Sequence, residues 1–212
     1  MKHPAEEEGL KAEFRPIATA VGAPLVLTLT GLAAIWAGYH TGQNPPLVFG
    51  LTLFAYLLAL LAVIDARHGI LPHLLTGTLA GLGILLAPTF GHTHLNALNG
   101  GLLALTGIGF CAFVTERLTG KQAVGGGDFW LVAALGTWLG AGGLPMLLVA
   151  TAVTGIVSVL IRRWLSQNML TYANVPTQSF PFGPALCAAG WLAMLYAPAY
   201  WQGIEMLVTP VS

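Results

Sequence analysis

The chain has very few charged side chains. Asp, Glu, Lys and Arg make up 8% of its 212 residues, whereas soluble domains carry about 25%. This scarcity excludes an ordinary soluble domain. The formal net charge is +0, so the chain has no excess of basic residues with which to bind nucleic acid, and we expect no nucleic-acid partner.

Cysteine is equally scarce. The two cysteines, Cys111 and Cys187, stand alone in apolar runs, and the sequence contains no Cys-x-x-Cys pair. This pattern excludes a zinc module built on paired cysteines and favours buried thiols over a disulfide. We expect neither a metal nor a cofactor in this protein.

Apolar residues are plentiful. They make up 56% of the chain, and the mean hydropathy is +0.76. Runs long enough to cross a bilayer, which takes about 20 residues per helix, alternate with Pro, Gly and polar clusters. The sequence predicts an all-α polytopic membrane protein, with a tail over 1–16 and one membrane-embedded domain over 17–212. About seven helices are expected, at 17–39, 46–64, 73–90, 97–115, 128–141, 143–162 and 182–202.

The basic residues predict an orientation. They fall in the N-terminal tail, after the second span, after the fourth and at the end of the sixth, which is one face of the membrane if seven spans are correct. Because cytoplasmic loops are enriched in Lys and Arg, this face and the N-terminus are predicted to be cytoplasmic. The eight residues are Lys2, Lys11, Arg15, Arg67, Arg117, Lys121, Arg162 and Arg163.

Aspartate occurs only twice, at Asp65 and Asp128, which are 63 positions apart. Two crossings separate them, so both are predicted at the cytoplasmic face, where they can meet. Neighbouring carboxyls share one proton, and such a pair can hydrolyse a peptide bond. Taken singly, Asp128 could instead be a helix cap, Asp65 an ordinary helix-end residue, and the glycines before Asp128 a hinge.

Three segments then resemble one family. The sequence GGGD at 125–128 is similar to the Gly-x-Gly-Asp motif of the type IV prepilin peptidases, which are intramembrane aspartic proteases. ID at 64–65 with LPHLLT at 71–76 resembles the first catalytic segment of that family, and FPFGPAL at 180–186 resembles the start of its last helix. The resemblance implies that Asp65 and Asp128 are catalytic. Substrate-binding or supporting roles are expected for Gly125, Gly126, Gly127, His68, Pro72, Pro181 and Gly183.

The resemblance also implies the substrate and the location. The substrate would be a prepilin or pseudopilin precursor, cut after a Gly that ends a short basic leader and precedes an apolar helix. The enzyme would lie in the bacterial inner membrane, with its active site facing the cytoplasm. The tail lacks the cysteine tetrad of bifunctional members, so a short form without methyltransferase activity is expected.

Two positions depart from the family pattern. His73 stands where members often have Asp, and Trp130 stands where they often have Lys.

Two other functions remain open at this point. The aspartates could form the proton relay of a membrane carrier, or the chain could be a non-catalytic scaffold of a pilus or secretion assembly. A carrier typically has polar residues near mid-span and repeat symmetry. The mid-spans here are almost wholly apolar, which favours the peptidase.

Overall fold

The structure, a computed structural model, describes residues 20, 23–42, 44–120, 125–168 and 182–208. The tail over 1–16 and Pro181 lie outside these ranges. The described residues form helices and no strand: α1 (Pro24–His40), α2 (Pro45–His68), α3 (His73–Leu86), a 3₁₀ turn (Ala87–Phe90), α4 (His94–Thr119), α5 (Gly126–Asn168) and α6 (Gly183–Val208).

Membrane-length helices account for much of the described chain. Four segments, namely Pro45–His68, His73–Phe90, His94–Leu118 and Gly126–Ile161, are long and apolar enough to cross a bilayer. The apolar part of α6, Gly183–Ala197, is shorter. The predicted class, an all-helical multi-pass membrane protein, is confirmed in this form.

Helix α5 is broken at Gly140. As one straight rod its 43 residues would be about 65 Å long, about twice the thickness of the bilayer core. Gly140 has φ 64° and ψ 177°, which are not helical angles. The amide N–H of Ala141, just after the break, donates to Asn96 Oδ1 at 3.1 Å.

Contacts with α6 show that α5 bends back at this break. A Cβ on Gly190 would lie 3.0 Å from Leu135 Cδ1, and one on Gly155 would lie 3.4 Å from the Phe182 ring. Residues 182 and 190 are separated by about 12 Å of helix, whereas residues 135 and 155 would be about 30 Å apart in a straight helix. A straight α5 could therefore not make both contacts. The two parts of α5 correspond to the separately predicted helices at 128–141 and 143–162.

Trp138 is at the centre of the packing. Its indole is 1% exposed and donates from Nε1 to the carbonyl of Leu79 at 2.8 Å, which ties α5 to α3. The Phe54 ring of α2 lies 4.7 Å from it, centroid to centroid. The buried indole thus has both an apolar contact surface and the acceptor that its N–H requires.

The cysteine prediction was half right. Cys187 is buried, but Cys111 on α4 is exposed. A residue in a membrane helix can be apolar in character and still lie on the outer surface of the bundle, because lipid accepts apolar side chains as readily as the protein core does. Hydropathy therefore cannot distinguish these two positions.

Helices α4 and α5 pack backbone to backbone where Gly100 meets Gly136 and Gly140. A Cβ on Gly100 would overlap the carbonyl oxygen of Gly136 and would lie 2.6 Å from the carbonyl carbon of Gly140. Gly100→Ala is therefore expected to lower the free energy of unfolding by about 1–3 kcal/mol, the cost of overpacking. Reversible unfolding in mixed micelles measures it.

Gly107→Ala is the matched control on the same helix. A Cβ there meets nothing within 4 Å, so this substitution should be neutral or stabilise by up to about 1 kcal/mol, because Ala is the better helix former. Equal effects of the two substitutions would contradict close packing at Gly100.

Candidate active site

Asp65 lies in the last turn of α2. The helix ends at Gly69, whose φ of 65° is left-handed and whose N–H donates to the Asp65 carbonyl. Glycine adopts this conformation without the steric cost that other residues pay. The side chain of Asp65 is 5% exposed, so the carboxyl needs partners within the protein.

One partner is the start of α6. The backbone N–H of Gly183 donates to Asp65 Oδ2 at 3.0 Å, and a Cβ on Gly183 would lie only 2.7 Å from Asp65 Cγ. Glycine is required here because the carboxyl occupies the space that any side chain would fill. The free N–H groups at a helix N-terminus also attract negative charge.

Asp128 lies in the first turn of α5, a favourable place for an acidic residue. Its N–H donates to the Gly125 carbonyl at 3.1 Å. Gly126 and Gly127 are themselves helical rather than extended. A Cβ on Gly127 would lie 2.9 Å from Leu71 Cβ, whereas one on Gly126 would meet nothing within 4 Å.

The two carboxyls are brought together. Asp65, in the last turn of α2, and Asp128, in the first turn of α5, lie at the same end of the bundle. Packing of Gly127 against Leu71 joins the start of α5 to the segment before α3, while Gly183 joins α6 to α2. Sequence reasoning did not connect Cys187 with the site, although it lies one helical turn after Gly183.

The other predicted supporting residues have different surroundings. His68 is exposed in the last turn of α2, three residues after Asp65. Pro72 is buried and caps α3, and its carbonyl accepts the N–H groups of Leu75 and Thr76, both at 3.1 Å. Pro181 is outside the described residues.

His73 and Trp130 are neighbours. Their ring centroids are 6.4 Å apart and the rings meet edge to face. Both side chains are exposed; His73 is the first residue of α3, and Trp130 lies two residues after Asp128 in the chain. The two departures from the family pattern therefore occur at one place in the fold.

The sequence model of the type IV leader peptidase family matches residues 52–160, which include both aspartates. The chain belongs to this family. Gly183, which holds Asp65, lies beyond the matched stretch. No solved structure matches the chain.

Curated relatives in this family are named prepilin leader peptidase/N-methyltransferase. The Neisseria gonorrhoeae protein is 31% identical, with 88% of this chain and 62% of the relative covered. The Legionella pneumophila protein is 34% identical, with 84% and 63% covered. The Pectobacterium carotovorum protein is 35% identical, with 81% and 60% covered. The chain thus spans about three fifths of the length of these relatives.

The contact between Gly183 and Asp65 predicts a strong coupling between the two positions. Gly183→Ala in this protein is expected to lower the free energy of unfolding by about 2 kcal/mol, because the added methyl group and the Asp65 carboxyl overlap. In the Asp65→Gly background that cost should shrink by about 1 kcal/mol or more. Unfolding of the four proteins in mixed micelles gives the double-mutant cycle.

Gly126→Ala is the control for this cycle, since its Cβ would meet nothing within 4 Å. It should show no coupling to Asp65. A Gly183→Ala cost that is independent of the residue at position 65 would argue against the contact.

Proposed function

We propose that this protein is a membrane aspartic endopeptidase that removes the leader peptide of type IV prepilin or pseudopilin precursors, cutting after a Gly at the cytoplasmic face. The observation that carries the proposal is the placement of Asp65 and Asp128, 63 positions apart in sequence, at the same end of the bundle, where Gly127 packs on Leu71 just beyond the end of α2. Membership of the type IV leader peptidase family and the names of its relatives support it.

The chemistry needs only the two carboxyls and a water molecule. One ionised carboxylate accepts a proton as the water oxygen attacks the scissile carbonyl carbon, and the protonated partner donates its proton to the carbonyl oxygen. When the tetrahedral intermediate collapses, the C–N bond breaks and a proton passes to the leaving nitrogen. The leader departs with a terminal carboxylate and the mature protein with a free amine.

The fixed carboxyl of Asp65 suits this reaction. The Gly183 N–H donates to its Oδ2. The backbone of α6 therefore holds the carboxyl in one orientation, and the side chain does not rotate freely. Such preorganisation is worth more than an added contact, because catalytic groups must be aligned before reaction.

A membrane orientation follows from the same arrangement. We infer seven crossings, with α5 contributing two because it bends back at Gly140, and a cytoplasmic N-terminus in the bacterial inner membrane. Arg67 lies two residues after Asp65, and Arg117 is in the last turn of α4. Both cations are therefore at the end of the bundle that carries the acidic pair, as the positive-inside rule requires of a cytoplasmic face.

The carrier alternative receives less support. Besides Asp65, the buried polar side chains of the described residues are Thr76 and Thr137. The Thr76 hydroxyl donates to the His73 carbonyl at 3.2 Å, and that of Thr137 donates to the Ala134 carbonyl at 2.7 Å. The Thr137 hydroxyl also lies 3.2 Å from the carbonyl oxygen of Ala80 on α3. Backbone carbonyls thus accept from both hydroxyls, as expected of structural residues rather than a proton relay.

The acidic pair gives the main test. Asp65→Asn and Asp128→Asn should each reduce leader cleavage by more than about a thousandfold, because residues that act as a catalytic unit fail together. Membrane insertion should be unchanged. Co-expression with a prepilin, followed by separation of precursor and mature forms, measures the conversion.

Glu116→Gln is the matched control, since Glu116 is an exposed acid near the end of α4. It removes one negative charge and should leave cleavage near the wild-type rate. Near-wild-type cleavage by either Asn variant would refute the aspartic-peptidase proposal.

The proposed orientation has its own test. Reporter fusions within 66–71 and 116–124 should give a cytoplasmic signal, and fusions within 40–45 and 91–96 the opposite one, because Arg67, Arg117 and Lys121 lie within the first two segments and the other two contain no Lys or Arg. A non-cytoplasmic signal from 116–124 alone would separate Asp65 from Asp128 across the membrane and contradict the site.

A further inference from the structure

An apolar groove of about 600 Å³ lies between α1, α2 and α6, within the size range of small-molecule pockets. On the α2 side it is lined by Ala55, Leu58, Ala59 and Ala62. These positions follow the i, i+3, i+4, i+7 spacing of a single helix face. The stripe leads directly to Asp65, which is three residues, or about one turn, beyond Ala62.

The α6 side also begins at Asp65, which Gly183 contacts. It is lined by Pro184, Cys187, Ala188 and Trp191, which again share one face of a helix. Pro184 directly follows Gly183, whose N–H donates to Asp65 Oδ2 at 3.0 Å, and Cys187 lies one helical turn after Gly183. Both helices therefore carry the groove away from the carboxyls and into the bundle.

Helix α1 forms the third side of the groove, which remains open along one edge. Leu29 and Leu32 line it and are 46% and 64% exposed. Trp36 meets Trp191 edge to face, with ring centroids 6.1 Å apart. This contact is about 12 Å along α6 from Gly183, so the length of groove between the carboxyls and the tryptophans matches about two turns of a helix.

We propose that this groove holds the first turns of the apolar helix of the precursor, the part that directly follows the scissile bond. The inference rests on the proposed leader-peptidase function and assigns the residues that would bind the substrate. Three observations carry it: the apolar lining, its continuity with the carboxyls at one end, and the small residues along α2.

The small residues favour a helix over a lipid chain. Ala55 and Ala59 are four positions apart, the small-xxx-small spacing that lets membrane helices approach closely. Exposed Ala188 faces the groove from α6. The backbone of a substrate helix in the groove would make close van der Waals contact, and such contact is the main attraction between helices in lipid. The first residue of that helix would lie at Asp65.

Filling the groove tests the proposal. Ala188→Phe should raise KM for an intact precursor by about tenfold or more, the effect of a lost binding contact, with kcat within about twofold of the wild type. Ala152→Phe is the matched control, because Ala152 is exposed on α5 and does not line the groove. It should change neither constant.

Photo-crosslinking gives a second readout that does not depend on the fold of the Phe variant. A benzophenone amino acid at Leu32, in an Asp65→Asn background that keeps the precursor uncut, should attach to the precursor within the two turns after the cleavage site. The same probe at Leu148, which is 69% exposed on α5, should not.

The outcomes separate the two proposals. If the wild type cleaves the precursor but Ala188→Phe keeps the wild-type KM, or the Leu32 probe attaches only to lipid or to this chain itself, the groove assignment is overturned and the peptidase stands. If Ala188→Phe lowers kcat alone, the groove acts on the carboxyls and not on the substrate helix, which also overturns it. If the wild type cleaves no precursor, the proposed function itself fails.

Discussion

The hydrogen bond from the Gly183 N–H to Asp65 Oδ2, 3.0 Å long, is the contact on which the proposed site depends. A nearly buried carboxyl is costly unless it is hydrogen-bonded. The N-terminus of α6 supplies both a free donor and a favourable dipole. The same contact sets the position of α6 against α2, and so the direction of the groove that starts at Pro184 and Cys187. A residue larger than glycine at position 183 would force these helices apart.

Glycine controls the distance between segments elsewhere at the site and in the bundle. Gly127 lets the start of α5 pack on Leu71, which brings Asp128 to the end of α2, and Gly100 lets α4 meet α5 backbone to backbone. In lipid there is little hydrophobic attraction between helices, so close van der Waals packing has to supply the association energy. Of the glycines before Asp128, Gly127 allows such close packing, whereas Gly126 has open space around it.

His73 and Trp130 show how the family pattern varies in this chain. In the sequence they are two unrelated departures, one in each catalytic segment. In the fold their rings meet edge to face, with centroids 6.4 Å apart. Residues in contact do not contribute independently, so the two expected departures from the family pattern have to be considered together.

The sequence by itself determined the membrane class and the approximate helix bounds, because a bilayer imposes a local and continuous hydropathy signal on each span. It also separated the two parts of α5. It could not distinguish buried Cys187 from exposed Cys111, since lipid and core are equally apolar. Only the tertiary structure decided three other features. These are the hydrogen bond between Asp65 and Gly183, 118 positions apart, the contact between His73 and Trp130, and the groove along α2. These contacts depend on which helix faces pack together, and apolar residues on every face leave no periodic signal of that choice.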